Sequence, residues 1–161
     1  YRMPELCCAV ALAQTENIDV LVQRRIAVAN IFSDATREFH DWFVPQKTGA
    51  EYVNSYWTWV CRNEHPSVSW HALRDAFVDN GGHGVYAAWK LTYLEPMFEK
   101  QTLLGREKFI SADNLAMYKK GLCPVAERLQ KRLMQFKTNY WDISQAKAQA
   151  DILHKTLKRF S

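Results

Sequence analysis

Residues 51–62 read EYVNSYWTWVCR, a run rich in aromatic and β-branched side chains on both of its alternating faces. Such a run favours extended backbone, and a strand apolar on both sides has to be covered on both sides. A chain that carries it needs a sheet with helices packed against it, and enough apolar residues to close the layers. With 161 residues, 48% of them hydrophobic and 13% aromatic, there is material for one domain with a core, or for a small domain plus extensions.

Helix signals surround this strand. Pro4 suits a first helical turn, where its missing N–H costs nothing, and Glu5 complements the positive end of the helix dipole. Leu6, Val10 and Ala13 then share one stripe; past a break near TENID, Leu21 or Val22, Ile26, Ala29 and Phe32 share another. The opening is one bent helix or two in succession. WFVPQ reads as a short strand. Ser69 caps a helix WHALRDAFVDN that turns Leu73, Ala76 and Phe77 inward, and NGG ends it as a left-handed C-cap. HGVYAAW reads as the next strand and LEPMFEKQTLLGREKF as an irregular, partly helical connection. Pro124 opens a helix through VAERLQKRL, a short extended stretch lies near QFKTNYW, and a terminal helix runs from about Ile143 to Phe160. The order α, β, β, α, β, α, α predicts an α+β fold: long N-terminal helices and a small, mainly antiparallel sheet with helices packed on it.

Self-sufficient chemistry is hard to find by spacing. GGHG follows a helix and precedes a strand, the reverse of the order in which a helix N-terminus holds phosphate, so it reads as a helix stop. The five histidines, His40, His65, His71, His83 and His154, form no metal-ligand pattern, and His71 with Asp75 reads as a surface hydrogen bond. No G-x-S-x-G elbow occurs. Cys7, Cys8, Cys61 and Cys123 lack C-x-x-C spacing and read as buried free thiols of a reducing, cytoplasmic compartment. A formal charge of +4 is spread along the chain, which argues for solvated helix faces and against a nucleic-acid partner. No apolar run has the length of a membrane span. The strand tryptophans, Trp57, Trp59 and Trp89, read as core, with stacking on a base or sugar as the alternative.

Several words in the sequence do carry a likeness. YRMPELCCAVALAQTENIDVLVQRR, through Tyr1, Arg2, Met3, Ala9, Ala11, Gln14, Arg24 and Arg25, resembles the segment of the DegT/DnrJ/EryC1/StrS sugar aminotransferases that follows a Gly-x-Asn. VNSYWTWV sits where that family has its HSYHLYV-like strand, LEPMF resembles its LQPAY-like element, and GLCPVAERL its FPVAE helix start. The order is kept over essentially the whole chain, and the features are most similar to the perosamine synthases. Two departures stand out: Tyr93 occupies a position where the family often has histidine, and QF replaces the LP after the AE helix.

The resemblance implies a fold type I enzyme that uses pyridoxal phosphate to move an amino group from an amino acid, usually L-glutamate, to a keto carbon of a nucleotide-linked sugar. It implies that the Schiff-base lysine and most of the phosphate site belong to a large domain preceding these residues, so that Lys47, Lys90 and Lys137 are not candidates. Residues 1–161 would then be the small domain of a homodimeric enzyme, with 1–36 as its helical connection, inactive and without cofactor by itself. On the same grounds Arg2 is the foremost substrate-binding candidate, able to grip phosphate or sugar oxygens bidentately, with Tyr1, Tyr93 and Trp89 as candidates for a sugar-facing wall. The family's dehydratase branch is left open by residues that lie elsewhere. A non-catalytic α+β binding module is the competing expectation.

Overall fold

The computed structural model describes residues 2–87, 90–99 and 118–161. Two helices open the chain, α1 (Glu5–Glu16) and α2 (Ile18–Ala35), and Asn17 between them is the break expected near TENID. A 3₁₀ turn, Arg37–Phe39, leads into strand β1 (Phe43–Pro45). Then follow β2 (Thr58–Asn63), α3 (Trp70–Asp79), β3 (Tyr86–Ala87), a second 3₁₀ turn (Thr92–Leu94), α4 (Pro96–Glu99), α5 (Pro124–Gln130), β4 (Leu133–Lys137) and α6 (Ile143–Lys158). The sheet is antiparallel throughout, in the order β1-β2-β4-β3, with Trp59 opposite Phe136 and Cys61 opposite Met134 in the central pair.

One face of this sheet makes the core. Phe43, Trp59, Cys61, Met134 and Phe136 point to it, and α2, α3 and α6 cover it with Val28, Phe32, Leu73, Phe77, Ala146, Ala150, Leu153 and Leu157. The centre is aromatic: Phe32 stacks on Trp59 at 5.5 Å between centroids, and Phe136 meets Phe32, Phe43, Trp59 and Phe77 within 6.2 Å. Arrangement as a sheet with helices on it matches the α+β expectation, and Trp59 is core, as read.

The strand expectation needs correcting. Only Thr58–Asn63 of the 51–62 run is extended; burial alternates along it, with Trp59, Cys61 and Asn63 inside and Thr58, Val60 and Arg62 half-buried, so one face is closed and the other half-covered. The preceding aromatics are turned away by local polar chemistry. Asn54 Oδ1 accepts from the Tyr56 N–H at 2.9 Å, and Tyr56 takes a left-handed φ of 49°, which breaks an extended run. Tyr52, Val53 and Trp57 are consequently exposed.

Helix stops and starts follow the sequence closely. Ser69 Oγ accepts from the Ala72 N–H at 3.1 Å. At the far end, the Gly82 N–H reaches the Phe77 carbonyl and the Gly81 N–H the Val78 carbonyl, both at 2.9 Å, with Gly81 at φ 88°. This is a Schellman stop, and a Cβ on Gly82 would lie 2.6 Å from the Phe77 ring. Gln149 of α6 locks the same turn by accepting from the His83 N–H at 2.6 Å. The glycine cluster is thus a packed helix end.

Candidate functional site

Helix α1 is the most unusual surface of the molecule. Its alanines, leucines and glutamates form a sound helix, yet none of its 12 residues is buried. Leu6 is 78% exposed, and Met3, Val10, Leu12, Ile18 and Val20 are exposed beside it. Cys7 and Cys8 share that exposure, as does Cys123; only Cys61 is a buried thiol, its pKa pushed well up by burial. The expectation of four buried thiols therefore fails because the helix carrying two of them packs on nothing described.

The residues proposed from sequence to meet a substrate are dispersed. Arg2 stands exposed ahead of α1, and among the described residues no hydrogen bond or ion pair joins it to Tyr93. Tyr93, half-buried in the second 3₁₀ turn, donates its hydroxyl to Glu127 Oε1 at 2.5 Å, and the Gly121 N–H reaches the same oxygen at 2.6 Å. Burial first, and the bond to Glu127 second, push the phenol up to about 12. The Tyr93 and Gly121 donors hold the Glu127 carboxyl below its ordinary value. A side chain at the position where the family often has histidine thus spends its donor on the start of α5. Tyr1 and Trp89 lie outside the described residues.

A groove of about 560 Å³ opens between the β2–α3 loop and the end of α5, lined by His65, Ser69, Trp70, His71, Lys131 and Arg132 among others. Most of its polar groups are already engaged. His65 Nδ1 accepts from the Ser67 and Val68 N–H groups at 3.2 and 3.1 Å, which leaves Nε2 as the donor to the Phe160 carbonyl. Trp70 Nε1 donates to the Leu133 carbonyl, and Arg132 pairs with Glu64. Asp75, read as a partner of His71, accepts instead from Arg74 at 2.8 Å. Among the described residues, no three His, Cys, Asp or Glu side chains gather as a metal site.

A second, smaller cavity of about 130 Å³ lies between α2 and the 138–141 loop, lined by Leu21, Arg24, Arg25, Thr138, Asn139, Tyr140 and Trp141. Arg25 Nη1 donates to the Trp57 carbonyl and to Thr138 Oγ1, each at 3.0 Å. The Arg24 guanidinium lies 4.4 Å from the centroid of the Trp141 ring. His83 flanks this region, stacked on Tyr140 with Nδ1 3.0 Å from the phenol oxygen. Burial and then the Lys137 ammonium lower its pKa, so the fold favours the neutral ring; that contribution is present above the ordinary histidine value and lost as pH falls through the lowered one. The two arginines entered the sequence reading only as marks of a likeness. Their loop partners lie more than a hundred residues away, and no local pattern announces such a meeting.

The profile of the DegT/DnrJ/EryC1/StrS aminotransferase family matches residues 1–137. The chain belongs to that family. No curated protein matches it significantly. Membership makes an aminotransferase-type function the coarse assignment, and the match covers α1 through β4 but stops short of α6. Among the described residues no helix is long and apolar enough to cross a membrane.

Family membership raises pyridoxal phosphate as a cofactor, which requires an amine able to hold its aldehyde and donors for its phosphate. The described lysines do not fit. Lys47, Lys90, Lys119, Lys120, Lys131, Lys147, Lys155 and Lys158 are exposed, and the half-buried Lys137 rests its ammonium on the Tyr140 ring at 4.5 Å, lining neither cavity. The described residues do not by themselves make a site for this group.

Proposed function

We propose that these 161 residues act as the C-terminal small domain of a pyridoxal-phosphate-dependent sugar aminotransferase, with residues 1–36 connecting it to a large domain that holds the cofactor and its lysine. In this reading the whole enzyme is a homodimer that transfers the amino group of an amino acid, L-glutamate by family habit, to a keto carbon of a nucleotide-linked sugar. Arg2 reaches toward the substrate's oxygens, and Tyr1, Tyr93 and Trp89 belong to the wall beside the sugar. Alone, the domain has no transaminase activity.

The observation that carries this reading is α1. A well-formed helix that exposes Leu6, Val10 and Leu12, followed by Ile18 and Val20 exposed at the start of α2, is half of an interface, since water is a poor partner for so much aliphatic surface along one stretch of chain. The family match begins at residue 1, so this helix belongs to the matched segment.

Two measurements test it. The chain, incubated with pyridoxal phosphate and then borohydride, is expected to gain no stoichiometric lysine adduct; one specific adduct would refute the placing of the lysine. The product of the complete reading frame, given L-glutamate and a nucleotide-linked keto sugar, is expected to release 2-oxoglutarate. No release across a panel of such sugars would overturn the substrate assignment.

A further inference from the structure

We infer that the cavity between α2 and the 138–141 loop is a binding site for a nucleoside phosphate, its phosphate held by Arg24 and Arg25 and its base laid on Trp141. This site is independent of the transamination reading, because it needs neither cofactor nor large domain.

The argument starts from unspent donors. A guanidinium carries five N–H groups, is charged at every accessible pH, and matches phosphate oxygens in pairs. Arg25 spends only Nη1, on the Trp57 carbonyl and Thr138 Oγ1, which fixes its plane while leaving Nε and Nη2 without an acceptor among the described residues. Arg24 spends only Nη1, on the Trp141 carbonyl at 3.3 Å. Neither forms an ion pair with a described carboxylate. Asp142, which follows Trp141 in the sequence, is committed to the N–H and hydroxyl of Ser144 at 2.8 and 2.7 Å. Two neighbouring cations facing one cavity repel each other, and an anion between them removes that cost.

The aromatic component is equally specific. Trp141 is 79% exposed although Arg24 covers part of its ring, and an indole left this open next to a cation is a stacking platform for a base. Thr138, fully buried and bonded to the Tyr56 carbonyl at 2.5 Å, anchors the loop that presents it. Convergence on one small cavity, instead of a track of cations, selects a mononucleotide over a nucleic-acid strand.

Calorimetric titration of the chain with UDP, GDP, pyrophosphate and uridine tests the site. The diphosphates are expected to bind, and Arg24→Gln to weaken them about tenfold, the value of one charge-assisted bond. Trp141→Leu should weaken UDP about fivefold, as loss of stacking requires, while changing pyrophosphate less than twofold. Arg128→Gln, an exposed cation on α5, should leave every titration unchanged; circular dichroism confirms that each variant is folded. No binding of either nucleotide, binding indifferent to both Arg24→Gln and Trp141→Leu, or a mixed-sequence oligonucleotide bound more tightly than UDP would each overturn the site. None of these outcomes bears on 2-oxoglutarate release by the complete enzyme.

Discussion

Helices α1 and α6 are of similar length, 12 and 16 residues, and both are built mainly from good helix formers, yet one buries nothing and the other buries six residues. On α6, Ala146, Ala150, Leu153 and Leu157 line one face at helical spacing against α2, α3 and the sheet. On α1 apolar side chains are as plentiful but spread around the axis, so they define no single seam within this fold. Helicity is a local property and burial a tertiary one; the two helices show that the first carries no promise of the second.

The largest expected consequence is in amide exchange. Amides of α6 should exchange only through global opening, and those of α1 through opening that costs next to nothing, a gap on the order of 5 kcal/mol in a domain of ordinary stability. In the product of the complete reading frame the α1 amides should become protected. Equal protection of the two helices in the chain alone would dissolve the contrast; continued exposure of α1 in the complete product would remove the interface from the proposed function.

Side-chain truncation gives a smaller effect of the same sign. Leu153→Ala should cost about 2–5 kcal/mol in urea unfolding, as a fully buried leucine does, and Leu6→Ala less than about 0.5 kcal/mol. A cost for Leu6→Ala near that of Leu153→Ala would show α1 packed in solution.

The smallest effect lies between these extremes, where Tyr93 and Glu127 tie a surface turn. The depressed Glu127 carboxyl contributes stability present above the ordinary carboxyl pKa and lost as pH falls through the lowered one. The Tyr93 phenol, raised to about 12, contributes stability that is full below its ordinary value and lost as pH rises through about 12. Tyr93→Phe should move the Glu127 carboxyl back toward the ordinary range, followed by its carbon chemical shift. An unchanged titration would mean that the Gly121 N–H and the carboxyl's other neighbours set it without the phenol.

Much of the architecture was legible because its determinants are local. Ser69, the Gly81–Gly82 stop, Pro124 and the Ala146–Leu157 stripe each act within a turn or two of helix. The 51–57 segment was not legible, since its aromatic composition favours strand while one Asn side chain and one left-handed residue decide otherwise. Of the site, Arg2 and Tyr93 were named through family likeness, and the structure finds the first exposed and the second engaged with Glu127. Arg24, Arg25 and Trp141 could not be seen as one place, because α2 and the 138–141 loop meet only in the finished fold.

The central position of β4 also bears on how the protein is made. This strand pairs with both β2 and β3, and α6 after it lays its buried face over the same core, so the segment from Leu133 to Lys158 supplies the middle of the sheet and its cover. Until it is in place Trp59, Cys61 and Phe32 have no lasting shelter. The core closes only once β4 and α6 have emerged, and a nascent chain stalled before Leu133 is a natural client for a chaperone.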